Sequence, residues 1–371
     1  MAAEQAPSGD LGLDSIRPLG CLAPNLLMGM LMLTAAAGPG SETEAELKRV
    51  FRMENPGPQL QALVAAMDDA AAADPDVALS SSLAVFCRGE LAQGFRSACG
   101  PRVACKAMPS SAAGINAWVR DASSGLITSI IDRIDSTHVA ILLAVTALTA
   151  PWARPFDPEL TTAASFATAP DASVPCAMMH AKRKSVGDDI GLVELRNCRG
   201  VTLPYGSGRF LGIFLLPGAS EVEPPSASAA LALADWLVGV DAGLSEVLAA
   251  RRRRKVSVAL AIPRFTVEAT TGLVPILKEL GVRTAFDFTT ADLSALSVTP
   301  GIAVTNIIHK VVIKVDEAGT RAAAATATAV KSRKRVQLFT FTADRPFVFA
   351  VVDTVTTMVL FASAVLSAAQ D

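Results

Sequence analysis

Apolar and polar residues alternate through IIHKVVIKVDE (Ile307 to Glu317) in the way a strand requires. QLFTFTADRPFVFAVVDTVTTMVLFA (Gln337 to Ala362) is again strand-like. Between them lies EAGTRAAAATATAVKSRKR (Glu317 to Arg335), with four consecutive alanines (Ala322 to Ala325), an alternating Thr/Ala run and a terminal basic cluster. A segment of this length and smallness between two strands is either a linker or a functional loop. Near the other end, PNLLMGMLMLTAAAG (Pro24 to Gly38) is apolar throughout and taken alone fits the apolar core of a signal peptide with a small-residue cleavage site, against which the region before it is long and acidic rather than short and basic.

The small-residue segment has two faces if it is drawn as a strand. Thr320, Ala322, Ala324, Thr326, Thr328 and Val330 share one face, all small or β-branched, and slide between existing strands without steric penalty. Arg321, Ala323, Ala325, Ala327, Ala329 and Lys331 take the other and point to solvent. Gly319 suits a pivot at the start, because glycine accepts backbone angles that other residues resist. Lys331, Arg333, Lys334 and Arg335 offer cationic side chains to proteases whose primary pocket carries a carboxylate. Composition alone is equally compatible with a flexible alanine linker ending in a solvated charge run.

The flanks separate these readings. TPGIAVTNIIHKVVIKVDEAGT (Thr299 to Thr320) resembles the segment entering the reactive loop of serpins, and Glu317-Ala-Gly-Thr with the following alanines resembles its hinge. Further matches to family signatures occur in order: GINAWVRDASSGLI (Gly114 to Ile127), PWARPFDPELT (Pro151 to Thr161), VPCAMM (Val174 to Met179) and TLPYG (Thr202 to Gly206). IFLLPG (Ile213 to Gly218), IPRFTVEATTGLVPILKELGV (Ile262 to Val282), AFDFTTADLSALS (Ala285 to Ser297), DRPFVF (Asp344 to Phe349) and VLFASAV (Val359 to Val365) follow. The resemblance implies one α+β domain over residues 1–371. It would hold a large mixed central sheet, two smaller sheets, surrounding helices and an exposed reactive loop at about 317–340. It also implies a metastable suicide substrate. A serine protease attacks the loop, and the freed hinge (Glu317, Gly319, Thr320, Ala322, Ala323, Ala324 and Ala325) inserts into the central sheet before deacylation.

Within that resemblance the hinge glutamate stands sixteen residues before the scissile residue, which places the reactive bond at Arg333-Lys334. A trypsin-like serine protease with a preference for Arg is the implied partner. Arg335 is the alternative reactive residue, since Lys334-Arg335 is also a dibasic pair. Lys334 departs from the small polar residue usual in the family after the bond. A second departure concerns the shutter, where the resemblance implies that His309 is held by a serine of a Ser-Pro motif and by an asparagine on a neighbouring strand. Those positions read Ala23 and Ala144 here, with Leu26 close by. His309 is therefore expected either unsatisfied or paired with backbone or water, and a non-inhibitory serpin acting as substrate, decoy or binding module is the alternative function.

Composition narrows the partners. The 371 residues are 51% hydrophobic and 18% charged, enough for a large core, and the net charge of −2 argues against nucleic acid. Pro58 to Asp76, the segment where some serpins bind heparin, has no Lys or Arg, so such a site is not expected there. Arg251 to Lys255 form a five-residue basic run, read as the solvated end of an element with polyanion binding as the alternative. The three histidines (His138, His180 and His309) and six cysteines lack metal-ligand spacing, so no metal or cofactor is expected. YGSGRF (Tyr205 to Phe210) lacks a nucleophile-elbow pattern, so no enzyme is expected. Trp118 and Trp152 read as packing residues.

The first residues, MAAEQAPSGDLGLDSIRPLGCL, hold proline and glycine where serpins have a full first helix, a shortening similar to compact viral members of the family. The resemblance implies that the apolar run after them is the buried second helix; at about fourteen residues it is too short to span a bilayer, and no membrane partner is expected. No asparagine lies in an N-x-Ser/Thr sequon. A cytoplasmic, monomeric protein is the expectation, although an arginine bait suits extracellular proteases.

Overall fold

The computed structural model describes residues 24–51, 55–72, 74, 77–185, 190–218, 224–239, 243–252, 254–320 and 338–369. Helices α1 (Pro24–Ala36), α2 (Glu42–Phe51) and α3 (Pro56–Ala72) come first. Strand β1 (Ala78–Cys87), helix α4 (Gln93–Cys99), strand β2 (Val103–Ala107), helix α5 (Ala112–Ala122) and strand β3 (Ala140–Pro151) follow. Next are β4 (Thr162–Ala169), β5 (Ala172–Lys184), β6 (Gly191–Glu194), β7 (Cys198–Pro204) and β8 (Phe210–Pro217). Helices α6 (Ala227–Val238) and α7 (Gly243–Ala250) lead to β9 (Ser257–Pro263), β10 (Phe265–Gly272) and α8 (Val274–Glu279). The chain continues through β11 (Val304–Val315), β12 (Gly319–Thr320), β13 (Leu338–Thr342), β14 (Phe347–Asp353) and β15 (Val359–Val365).

Three sheets organise these strands. The central sheet runs β10-β11-β3-β1-β2, with β12 added on β3. A four-stranded sheet runs β13-β9-β5-β4, and a five-stranded sheet β15-β14-β8-β7-β6. In the central sheet β1 and β3 are antiparallel, as are β10 and β11, while β3 and β11 are parallel. Parallel strands are typically buried on both faces, and β3 (AILLAVTALTAP) is apolar on both. Leu142, Ala144 and Leu148 enter the main core with α1, whereas Ile141, Leu143 and Val145 pack on the opposite side with Ile115 and Val119 of α5.

The five-stranded sheet divides the same way. Phe210, Phe214 and Leu216 of β8 face the main core, and Leu211, Ile213 and Leu215 face Leu233 and Leu237 of α6. From Met28 onward helix α1 is largely buried, with Met28, Leu31, Met32 and Leu33 all in the main core. It lies directly under the central sheet: a Cβ at Gly29 would sit 3.7 Å from the Ala144 methyl of β3.

Candidate functional site

β11 does not simply end in a loop. After Val315 the chain reverses between Asp316 and Gly319, with Asp316 N donating to Gly319 O at 2.8 Å and Gly319 N returning the bond at 3.2 Å. The Asp316 carboxylate also accepts from Ala318 N at 3.0 Å, although burial raises its pKa above the ordinary carboxylate value. Gly319 and Thr320 then pair antiparallel with Pro151 and Ala150 at the end of β3. Gly319 has φ +143°, and a Cβ there would stand 2.2 Å from Ala150 O and 2.6 Å from the Cα of Pro151. No side chain fits at that contact.

Four side chains from other elements hold the reversal. Arg264, between β9 and β10, places Nε 2.7 and 2.8 Å from the two Glu317 oxygens and a terminal nitrogen 2.7 Å from Oε1. Thr161 donates its hydroxyl to the same carboxylate at 2.5 Å. Burial pushes the Glu317 pKa up, but the bonds from Arg264 and Thr161 outweigh it and the net shift is downward. Trp152 donates its backbone N–H to Ala318 O at 2.9 Å and its indole N–H to Asp316 O at 3.0 Å. Thr320 is fully buried, its hydroxyl 3.0 Å from that of Tyr205. The Tyr205 ring stacks on Trp152 with centroids 4.1 Å apart. Burial drives the Tyr205 pKa far upward, so the phenol stays protonated.

Below the hinge runs a seam. β3 and β11 pair from Val304↔Ala140 to Val312↔Ala147 and no further, although β1 follows β3 as far as Thr149. Above Ala147 the partner of β3 is β12, which continues antiparallel from the reversal that follows β11. The reversal thus sits beside β3 just above the end of its pairing with β11.

His309 sits midway along the seam, opposite Ala144 on β3 and Thr271 on β10. Its Nε2 is buried without a hydrogen-bond partner. Burial lowers its pKa from 6.5 to about 4, which keeps the ring neutral at pH 7. The next residue, Lys310, projects to the opposite face, where Nζ donates to Ser129 O at 3.1 Å and pairs with Glu268 at 2.7 Å.

The structure therefore brings Glu317, Gly319 and Thr320 together at one chain reversal, and His309 and Ala144 into register across the seam. Ala23, Ala322, Ala323, Ala324, Ala325, Arg333, Lys334 and Arg335 lie outside the described residues. Sequence reasoning missed Arg264, Thr161 and Tyr205 as hinge contacts. It took Trp152 for packing alone, whereas its indole and amide also bind the hinge backbone. All four lie inside the quoted motifs IPRF, PWARPFDPELT and TLPYG, so the segments were visible but their convergence was not. Among the described residues no group of three or more His, Cys, Asp or Glu is arranged to hold a metal, and no single helix is long and apolar enough to cross a membrane.

A family model described as serpin (serine protease inhibitor) matches residues 22–368. The chain belongs to the serpin family. Mouse Serpin B12 is 30% identical over 249 residues, covering 67% of this chain and 57% of its own length. Human Serpin B12 is 31% identical, with coverages of 68% and 61%. Rat leukocyte elastase inhibitor A is 29% identical, with coverages of 68% and 65%. The chain thus aligns with less than two thirds of each of these relatives. Among solved structures, human thyroxine-binding globulin complexed with thyroxine superposes with a TM-score of 0.78 at 20% identity, covering 97% of this chain and 98% of that one. The thermophilic serpin tengpin in its native state gives 0.77 at 19%, covering 99% and 96%. The α+β architecture described above is the serpin fold. The relatives include named protease inhibitors, a thyroxine-binding globulin shares the fold, and the family's description is that of a serine protease inhibitor.

Proposed function

We propose that this serpin, acting as a single domain, inhibits trypsin-like serine proteases as a suicide substrate, with Arg333-Lys334 as the reactive bond. The protease serine attacks the Arg333 carbonyl, the Lys334 amine leaves, and an acyl-enzyme remains on Arg333. The chain from Thr320 onward then enters the seam as a new strand. The observation that carries this reading is the position of β12, already paired with the end of β3 at the open top of the seam. A strand continuing from Thr320 runs antiparallel to both β3 and β11. It replaces one slanted parallel ladder by two antiparallel ladders, which is the more favourable pairing. Thr320, Ala322, Ala324, Thr326, Thr328 and Val330 present only small or β-branched side chains to the interior.

A second reading, a serpin that is cleaved without trapping and serves as decoy or binding module, is favoured by one observation. The seam is apolar around an unpartnered His309, so nothing polar at Ala144 holds the closed sheet. Incubation with trypsin and a panel of arginine-specific serine proteases decides between them. A covalent complex stable to SDS, releasing a C-terminal peptide that begins at Lys334, is the outcome expected of the inhibitor. Fragments alone leave the decoy, and a peptide beginning at Val336 moves the reactive residue to Arg335.

A further inference from the structure

Of the five cysteines among the described residues, Cys105 is the one that is not buried. It lies on β2, the edge strand of the central sheet, where Val103 and Cys105 turn to the main core and Ala104 turns to the side of α5. Cys99 ends α4 and is buried in that same core, as is Phe95 one turn before it. Gly100, Pro101 and Arg102 alone join the helix to the strand. Arg96 ties the two elements together. Its guanidinium donates to Cys105 O at 3.2 Å, and Cys99 stands three positions further along the helix, on a neighbouring part of the same face. Gln61 of α3 fixes the end of α4, donating to Ser97 O at 3.3 Å and to Ala98 O at 3.0 Å.

An open hollow of about 450 Å³ reaches Cys105 from outside, lined also by Gln93, Arg96, Ser97, Pro101 and Val103. Arg96 is the charged group of that lining, since Arg102 is turned to Asp68. Burial raises the Cys105 pKa, and the Arg96 guanidinium opposes the rise. Cys99 is pushed up to about 12 by burial, and a charge on Cys105 adds to the rise. The two thiols are thus close enough to sense each other, one reached by solvent and the other behind it. Cys87 of β1 also faces the main core, two positions beyond Val85, the residue paired with Cys105. Its sulfur is engaged otherwise, accepting from Gly89 N at 3.4 Å.

We propose that Cys105 is a site of oxidation by hydrogen peroxide, with Cys99 as its resolving partner, and that the product is a disulfide joining α4 to the edge of the central sheet. The Cys105 sulfur attacks one peroxide oxygen and the O–O bond breaks. The other oxygen leaves with the thiol proton as water, so sulfur is oxidised to a sulfenic acid and the peroxide is reduced. The Cys99 sulfur then attacks the sulfenic sulfur and the S–O bond breaks. The hydroxyl departs with the Cys99 proton as a second water. Partial exposure beside a cation is the setting in which a thiol reacts, and a second thiol within reach diverts it from further oxidation. Both thiols are mostly protonated at neutral pH, so the bridge forms slowly, on the order of minutes to hours. Neither cysteine belongs to the hinge or the seam, so the site stands whether or not the loop inserts.

The test treats the fully reduced native protein with hydrogen peroxide, blocks the remaining thiols with N-ethylmaleimide before unfolding, and maps tryptic peptides by mass. Trypsin releases residues 97–102 and 103–106 as separate peptides, each with one cysteine. A linked pair, lighter than the two peptides by their thiol hydrogens, is expected in the native protein. It is expected to be lost entirely in Cys105→Ser and in Cys99→Ala. In Cys99→Ala, Cys105 is expected to stop at the sulfenic acid and to be captured by dimedone. Cys99→Ser gives the same readout should the alanine variant fail to fold. Cys105 linked to Cys87, or carried on to sulfinic acid while Cys99 is recovered as its maleimide adduct, overturns the pairing. Cys105 recovered in full as its own maleimide adduct after peroxide overturns the site.

Discussion

Arg264 and Glu317 lie 53 positions apart and form the principal ion pair of the hinge, with three nitrogen–oxygen contacts between 2.7 and 2.8 Å. The carboxylate is buried, whereas the guanidinium is 47% exposed. Arg264 is thus the wet side of the clamp and Glu317 the dry side, and removing one partner is not equivalent to removing the other.

Arg264→Ala leaves a buried carboxylate with only Thr161 as a side-chain donor. Charged hydrogen bonds contribute about 1.5–3 kcal/mol, and the exposure of Arg264 places the expected loss toward the lower end. Urea denaturation should show it, with Glu317→Gln losing less because Gln still accepts from Thr161. The pair also sets an acid limit. The folded pKa of Glu317 lies below its unfolded value, so its contribution is complete above about 4.5 and is lost as pH falls through the folded pKa. An Arg264→Ala protein whose stability matches the native protein at pH 7 removes the clamp from this account.

His309 predicts a separate loss at milder acidity. Its pKa is about 4 folded against 6.5 unfolded. Above pH 6.5 both states are neutral and the group has no pH effect. Between 6.5 and about 4 the unfolded state takes up the proton and the folded state resists, which costs about 3 kcal/mol across the window. Below 4 the term is constant. His309→Leu should abolish this part of the stability–pH curve. Equal slopes for the two proteins between pH 6.5 and 4.5 would show that His309 is not the group responsible.

Much of this architecture was legible because its signals are local. The alternation of Ile307 to Val315 marked a strand, found as β11, and the buried helix at Pro24–Ala36 was legible through the family resemblance, since its apolar run alone fitted a signal peptide as well. The bare environment of His309 was also readable, because it depends on an absence: Ala144 has no polar atom to offer. The hinge contacts were opaque for the opposite reason. Tyr205 and Thr320 are 115 positions apart, and nothing in TLPYG marks its phenol for a hinge threonine rather than for core packing. Only the meeting of the ends of β3 and β7 with the chain after β11 brings Trp152, Tyr205 and Thr320 together.

Gly319→Ala tests the close approach of the hinge to β3. The added methyl meets Ala150 O and the Cα of Pro151 at distances no packed carbon tolerates, and φ +143° is unfavourable for alanine independently. The reversal is expected to leave β3. The amides of Trp152 and Phe156, which donate to Ala318 O and Glu317 O, should then exchange with deuterium at least about tenfold faster, corresponding to roughly 1.4 kcal/mol of lost protection. Unaltered exchange at both amides would mean that β12 pairing is not coupled to them.

Thr320→Arg separates cleavage from trapping. Thr320 is the first residue past the pivot, with its side chain fully buried against Tyr205 and the Trp152 stack. A guanidinium at that position faces desolvation with no carboxylate in reach: Glu317 is engaged by Arg264, and Asp316 is turned into its own reversal. The arginine is therefore expected to stay outside, which holds the first residue of the inserting strand away from β3 while leaving Arg333 available to a protease. Cleavage should continue at an undiminished rate, and the SDS-stable complex should fall by about tenfold or more in favour of fragments, because deacylation then outruns insertion. Fluorescence of Trp152, one contact away, reports whether the stack has moved. Trapping that survives Thr320→Arg at the native level would mean that insertion does not proceed from the β12 pairing.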